Sequence, residues 1–347
     1  MAVVTDSTAA LPAEAAARWG IAVVPLDVVI DGQRYAEGVD LTTQRLVEAV
    51  TSGSRVSTSQ PAPEAFSQVY ARAAARGASA VVSVHLSGEM SGTVSAARSA
   101  AERAPLPVHV VDSRTAAGAL GFAALAAAWT ASAVQDDERA VVPATSGTWL
   151  GVEPVEPRHG PLHLPDLRRL TRARPPEGWH VPPLPDAGDL RRLAGRLRPV
   201  ALPGADEVAA AARDTAAASK VWFLVDSLEH LRRGGRLSAP AAALGTVLGL
   251  RPLLTVSGGN VGVAEKIRTR RAARQRLEAV AVAAADAHEQ VRLAVHHLGE
   301  PDVAADLVAR LGEELGPRVR EVVVVDAGAV LGAHAGPGLL AVVVTPA

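Results

Sequence analysis

AVVSVHLSGEMSGTVSAARSAAER, residues 80–103, decides the fold class. Ala80 to Val84 is a β-branched run that reads as a buried strand. His85 to Thr93 is a polar, glycine-containing loop, and Val94 to Arg103 has the composition of a helix. The same unit recurs on either side. Ala2 to Val4 is an apolar run ending in Thr5-Asp6-Ser7-Thr8, and Leu11-Pro12 opens a helix to about Arg18. Val108 to Val111 ends in Asp112-Ser113-Arg114 and a long helix. Strands alternating with helices predict a parallel sheet covered by helices on both faces. Ligands of such sheets bind beyond the carboxyl ends of the strands, where these three polar loops lie.

Between them, Ile21 to Ile30 reads as a strand reaching a turn at Asp31-Gly32. Helices follow from Leu41 to about Val50 and from Glu64 to Arg76, separated by the loop Ser57-Thr58-Ser59-Gln60-Pro61. The second half reads as helix Val208 to Ala218, strand Val221 to Val225, helix Ser227 to Arg232, and an apolar helix at 241–248. Strands near 251–256 and 261–264 are joined by the hairpin turn Ser257-Gly258-Gly259-Asn260. Helices 269–285 and 301–314 and strands 291–295, 321–325 and 341–344 complete it. Hairpins mixed with helices predict a second α/β domain with a mixed sheet.

Residues 134–203 differ. They hold 12 of the chain's 24 prolines and much of its clustered arginine, without a sustained hydrophobic period. This composition reads as an irregular insertion, either disordered or a small accessory subdomain. The expected organisation is therefore an N-terminal domain at 1–133, the insertion at 134–203 and a C-terminal domain at 204–347.

Composition narrows the function. The 347 residues carry a net charge of -1, with 20% charged and 3% aromatic residues, which argues against a nucleic-acid partner. Cysteine is absent, excluding disulfides, thiolate metal sites and cysteine nucleophiles, and fitting a cytoplasmic protein. The opening MAVVTDST has no basic segment before an apolar run, which argues against a signal peptide. Thr115 to Val134 is uncharged over the length of a membrane span, but its Ala, Gly, Thr and Ser content reads as a buried helix.

The chain has no phosphate-loop motif, no GxGxxG after a strand, no HExxH and no GxSxG. His296 and His297, adjacent on a strand, point to opposite faces and make a poor joint metal site. What remains is small hydroxyl residues and glycines at element junctions. Ser91-Gly92-Thr93, just before a helix, reads either as helix capping or as an anion cradle. Thr58-Ser59-Gln60-Pro61 carries the same two readings. His334, in Gly332-Ala333-His334-Ala335-Gly336-Pro337-Gly338, is either an exposed turn residue or a donor to an anion. Arg232, Arg233 and Arg236 around Gly234-Gly235 are either a solvated helix end or a recognition site for carboxylate or phosphate.

These motifs, in this order, resemble the DegV family of lipid-binding proteins, which includes the fatty-acid-binding subunit of bacterial fatty acid kinase. The matching stations are Thr5-Asp6-Ser7-Thr8 with Leu11-Pro12, Val24-Pro25-Leu26 leading to Tyr35, Thr58-Ser59-Gln60-Pro61, Leu86-Ser87 with Ser91-Gly92-Thr93, and Asp112-Ser113-Arg114. Asp226-Ser227-Leu228, Arg233-Gly234-Gly235-Arg236, Lys266-Ile267-Arg268 and His334-Ala335-Gly336-Pro337-Gly338 follow. The resemblance covers residues 1 to about 133 and about 204 to 347.

It implies two α/β domains with a long-chain fatty acid buried between them and no other cofactor. Thr58, Ser59, Ser91, Gly92, Thr93 and His334 would surround the carboxylate. Arg236, Lys266 and Arg268 would meet the kinase subunit or the transferred phosphate. The chain would present its ligand to that catalytic subunit rather than act as an enzyme, with peripheral membrane contact for lipid exchange and no transmembrane segment. The alternatives are a lipid-free regulatory protein or an enzyme, such as a hydrolase using Ser91. Two departures from the family stand out: the insertion, and Glu89, which places an acid near the expected carboxylate.

Overall fold

The computed structural model describes residues 1–132, 203–237 and 251–347. The expected insertion, apart from Pro203, and the expected helix at 241–248 lie outside the described residues.

In the N-terminal half, β1 (Ala2–Asp6), β2 (Ile21–Val24), β6 (Val81–His85) and β7 (Val108–Asp112) form a parallel sheet in the order β2-β1-β6-β7. Every residue of β6 is buried, as a central parallel strand covered on both faces requires. The chain leaves β1 toward β2 on one side, while β6 lies on the other. The loops after β1 and β6 therefore flank a crevice at the switch point of the strand order. Helices α1 (Ala13–Arg18), α2 (Thr43–Thr51), α3 (Pro63–Ala75), α4 (Thr93–Ala101) and α5 (Gly118–Ala131) complete this half. α5 is apolar on all sides and ten of its residues are buried, so it is an interior helix, as its composition predicted. Among the described residues no helix is long and apolar enough to cross a membrane.

The C-terminal half holds a six-stranded mixed sheet. It comprises β8 (Lys220–Leu224), β9 (Leu253–Ser257), β10 (Asn260–Glu265), β11 (Val291–His297), β12 (Val319–Asp326) and β13 (Leu340–Pro346), in the order β10-β9-β8-β13-β11-β12. Only β11 and β12 pair in parallel; the other neighbours are antiparallel. Its helices are α6 (Ala205–Ala218), α7 (Glu229–Arg233), α8 (Arg270–Ala285), α9 (Pro301–Leu315) and α10 (Gly328–Ala335). α6 packs mainly on α5 and on β6 and β7, where alanines on both helices permit close approach. One apolar core runs from Val3 in β1 to Val343 in β13, so the two halves share an interior.

Three local readings are corrected. Ile21 to Ile30 is not one strand: Pro25 lacks an N–H and breaks it, and β3 (Asp27–Ile30) belongs to a small antiparallel sheet with β4 (Gln33–Ala36) and β5 (Val56–Ser59). Thr58 and Ser59, expected in a loop, lie on β5. His334, expected in a glycine-rich loop, lies in the last turn of α10, which ends at Gly336 with φ +75°.

Candidate functional site

Asp6, at the carboxyl end of β1, organises the crevice. One carboxylate oxygen, Oδ1, accepts from the Thr8 amide (3.1 Å) and hydroxyl (2.5 Å). The other, Oδ2, accepts from His85 Nδ1 (3.0 Å) and from the Leu86 amide (3.0 Å). His85 Nε2 meets Ser83 Oγ at 2.7 Å, and Ser83 Oγ meets the Tyr70 hydroxyl at 2.9 Å. Burial pushes the Tyr70 phenol up to about 12, so it stays a neutral hydrogen-bonding group. Ser83, His85 and Asp6 thus reproduce the contacts of a hydrolytic triad. All three are sealed from solvent, so the chain of bonds braces the β1 and β6 loops rather than meeting a substrate.

That bracing holds the loop leading to Ser91. The amides of Met90 and Ser91 both donate to the Ser87 carbonyl, and Ser87 Oγ donates to the Gly259 carbonyl at the tip of the β9–β10 hairpin (2.7 Å). Asp112 accepts from the Gly88 and Arg114 amides. Ser91 Oγ lies 2.8 Å from Thr93 Oγ1 and accepts from the Thr93 amide at 3.3 Å, a local turn just before α4, whose N-cap is Gly92 and has no side-chain cap. Thr93 itself is fully buried. Gly92 lies under the Gln60 side chain, which occupies the space a Cβ would need.

Opposite this loop, Thr58 Oγ1 sits 2.7 Å from His334 Nε2. Ser59 Oγ is buried without a hydrogen-bond partner among the described residues. Burial, with a smaller contribution from the Arg236 guanidinium, pulls the His334 imidazole down to about 4, so it is neutral at physiological pH. Arg236 Nε donates to the Met90 carbonyl at 3.0 Å, and its Nη1 donates to the Gly234 carbonyl. It therefore ties the Gly234-Gly235 bend to the Ser91 loop. Glu37 anchors the other end of the His334 helix: its Oε1 accepts from the Val330 amide at 2.8 Å, and burial raises its carboxyl above the usual range.

These groups converge on one cavity of about 890 Å³, measured with its opening to solvent. Thr58, Ser59, Gln60, Ser91, Arg236 and His334 give it polar lining. The rest is largely aliphatic, with Leu26, Leu86, Met90, Phe223, Val256 and Leu339 among its walls. Such a space suits a ligand with one polar head and a long apolar body. Among the described residues no cluster of His, Asp or Glu side chains is placed to hold a metal ion.

The structure brings Thr58, Ser59, Ser91, Arg236 and His334 together on this cavity; Gly92 and Thr93 support it from behind. Lys266 and Arg268 are exposed in the segment after β10 and do not line it. Glu89 also lies outside it, 4.0 Å from Arg114 Nη1, so it is not the acid beside the head that its position in sequence suggested. Gln60, Met90 and His296 line the cavity without having been singled out as site residues. Gln60 belonged to a quoted motif; Met90 and His296 reach the cavity only through loop and sheet geometry.

Comparison with known proteins follows the same lines. The family model "Uncharacterised protein, DegV family" matches residues 1–139 and 204–347, leaving most of the Pro/Arg-rich segment unmatched. A DegV domain-containing protein of Streptomyces coelicolor is 39% identical, over 99% of this chain and 98% of its own length. One from Deinococcus radiodurans is 33% identical, over 100% and 98%. Among solved structures, a DegV family protein from Thermus thermophilus, described as fatty acid binding, is 28% identical with a TM-score of 0.73, covering 100% of this chain and 99% of its own. DegV of Bacillus subtilis, described as a fatty acid binding protein, is 26% identical with a TM-score of 0.72 and the same coverage.

Proposed function

The chain belongs to the DegV family, and on that premise we propose that it binds a long-chain fatty acid in this cavity. The observation that carries this reading is the form of the cavity: polar side chains from β5, the Ser91 loop and α10 share it with an extensive aliphatic lining. Two structural relatives above 25% identity are described as fatty acid binding. Each methylene removed from water contributes about 0.8 kcal/mol, so the apolar body supplies affinity. The carboxylate needs a few donors at its mouth to offset its desolvation. Thr58, Ser59 and Ser91 hydroxyls and the neutral His334 imidazole serve as those donors, with Arg236 adding positive charge.

The chain is a carrier in this reading, not an enzyme. A partner kinase transfers the terminal phosphoryl group of ATP to the bound carboxylate, giving an acyl phosphate and ADP. Arg236, with the exposed Lys266 and Arg268, contacts that kinase or the transferred phosphate. The carrier works in the cytoplasm, touches membranes peripherally to exchange lipid, and has neither a nucleic-acid partner nor a cofactor besides its lipid. The hydrolase alternative finds no support at Ser91, whose side-chain bonds run to Thr93 rather than to a base.

The test is denaturing extraction of the purified protein and mass spectrometry of the released lipid. Stoichiometric fatty acid, retained less well by Ser91→Ala, is the expected result. A protein that is empty and takes up no added fatty acid would sink the carrier reading. Acyl phosphate formed from ATP only when the kinase subunit is present would support the presentation step.

A further inference from the structure

The cavity has a second end. Across the C-terminal sheet, Val261, Val256, Phe223, Ala341 and His296 stand in successive strands, β10, β9, β8, β13 and β11, and all line the cavity. Those four strand spacings span about 19 Å at about 4.8 Å each. Leu237, next to Arg236, bridges to Val261, which puts the Arg236 end at β10. His296 therefore lies at the opposite end. Helix α10 gives the same order: Ala327, just before it, donates its amide to the His297 carbonyl, while His334 is in its last turn, about 10 Å along the axis at 1.5 Å per residue.

His296 is fixed as a wall. Its Nε2 accepts the amide of Gly118, the first residue of α5, at 3.0 Å, which leaves the proton on Nδ1. The ring is 1% exposed. Gly118 is packed so closely that a Cβ would fall 2.5 Å from Ala294 Cβ and 2.8 Å from His296 Nε2. Behind the ring lies a smaller, shallow apolar pocket, about 250 Å³ when measured with its opening to solvent, formed by Leu11, Phe122, Leu125, Ala294, Val323 and the same His296. The imidazole is thus shared by two apolar spaces.

We infer that His296 sets the upper limit of acyl chain length, acting as a septum between the main cavity and this rear pocket, which takes the terminal methylenes of a longer fatty acid once the ring is removed. The inference rests on the fatty-acid reading above. It assigns specificity to a residue remote from the carboxylate, and it makes the rear pocket an extension of the acyl site.

The experiment measures the affinity of delipidated protein for saturated fatty acids of increasing length. In the wild type, affinity rises with length and falls where the chain meets His296. His296→Ala moves that turning point to longer chains, with about a fourfold gain for each methylene newly accommodated. Adding Leu11→Trp, which fills the rear pocket from its rim, returns the turning point toward that of the wild type. His296→Asn, smaller but polar, replaces the alanine variant if that one fails to fold. Variants that bind fatty acids with the wild-type length profile would overturn the septum while leaving the carrier reading intact. A wild type that binds no fatty acid of any length would overturn both.

Discussion

Asparagine at position 6 tests whether the buried chain of bonds braces the site. In the wild type each Asp6 oxygen accepts two hydrogen bonds, from Thr8 on one side and from His85 and Leu86 on the other. A carboxylate can do this; an amide cannot, because its nitrogen only donates. The least costly orientation of the new amide turns nitrogen toward His85 and Leu86. The imidazole can answer by moving its proton to Nε2, donating to Ser83 Oγ, whose own hydroxyl then turns to Tyr70. The Leu86 amide has no such escape. One orphaned buried N–H costs about 1–3 kcal/mol, against a typical total stability of about 5–15 kcal/mol. Asp6→Ala orphans the Thr8 and Leu86 amides together with the His85 N–H, each at about 1–3 kcal/mol, so its loss exceeds that of the asparagine variant. Equilibrium urea unfolding of the delipidated variants should therefore rank wild type above Asp6→Asn above Asp6→Ala. A loss below about 0.5 kcal/mol for Asp6→Asn, or equal losses for both variants, would refute this account of the network. Since Leu86 begins the loop that carries Ser91, the asparagine variant should also bind fatty acid more weakly.

Thr58→Val keeps the shape of β5 but removes the hydroxyl facing His334; losing a hydrogen bond to a charged head, about 1.5–3 kcal/mol, should weaken fatty-acid binding tenfold to a hundredfold in a displacement assay, and a change within twofold would remove Thr58 from the head-group site. His334 is depressed to about 4 in the folded protein from about 6.5 in the unfolded chain. Between these values the unfolded state binds more protons, so the stability this group contributes is full above pH ~6.5 and is lost as pH falls toward ~4. His334→Gln should flatten the stability profile of the ligand-free protein in that window, leaving the slope due to His296, which burial also lowers to about 4, and to His230 and His297, which burial lowers too; an unchanged profile would contradict the burial of His334. Arg236→Gln removes a positive charge that disfavours the imidazolium, so the His334 ring should titrate at higher pH by NMR, and a stationary or falling titration point would show that Arg236 does not act on it.

Much of the fold was legible because burial writes a period into sequence. The charge-free β-branched run at 80–84 and the Ala-rich helix after Arg114 are interior elements, and their composition reports that directly. The polar loops after β1, β6 and β7 were legible as punctuation between such runs. The reading went astray where a neighbour decided the conformation. Val56–Ser59 has little to mark it as a strand, and it becomes one by pairing with β3. The glycines at 328, 332 and 336 look like a loop; yet α10 forms because Glu37, distant in sequence, caps its first turn and because Gly332 lets Leu46 and Leu298 pack against it.

The candidate site divides in the same way. Sequence by itself determined its chemical vocabulary: small hydroxyls, a histidine and a cluster of guanidinium groups at element ends, and aliphatic runs without cysteine or many aromatics. Those features follow from local composition and order; by themselves they left helix capping and anion binding both open, and the apolar body of the ligand was implied only by the resemblance to the DegV family. Only tertiary structure decided which groups meet. Thr58 and His334 are 276 positions apart and touch at 2.7 Å, while Glu89, two residues from Ser91, turns away to Arg114. His296, noticed in the sequence only as half of a poor metal pair, ends up behind the acyl space because β11 sits four strands from β10 and Gly118 yields room for its ring. Contacts of this kind are set by strand order and helix packing, which depend on the whole chain burying its surface at once; no local stretch of residues encodes them.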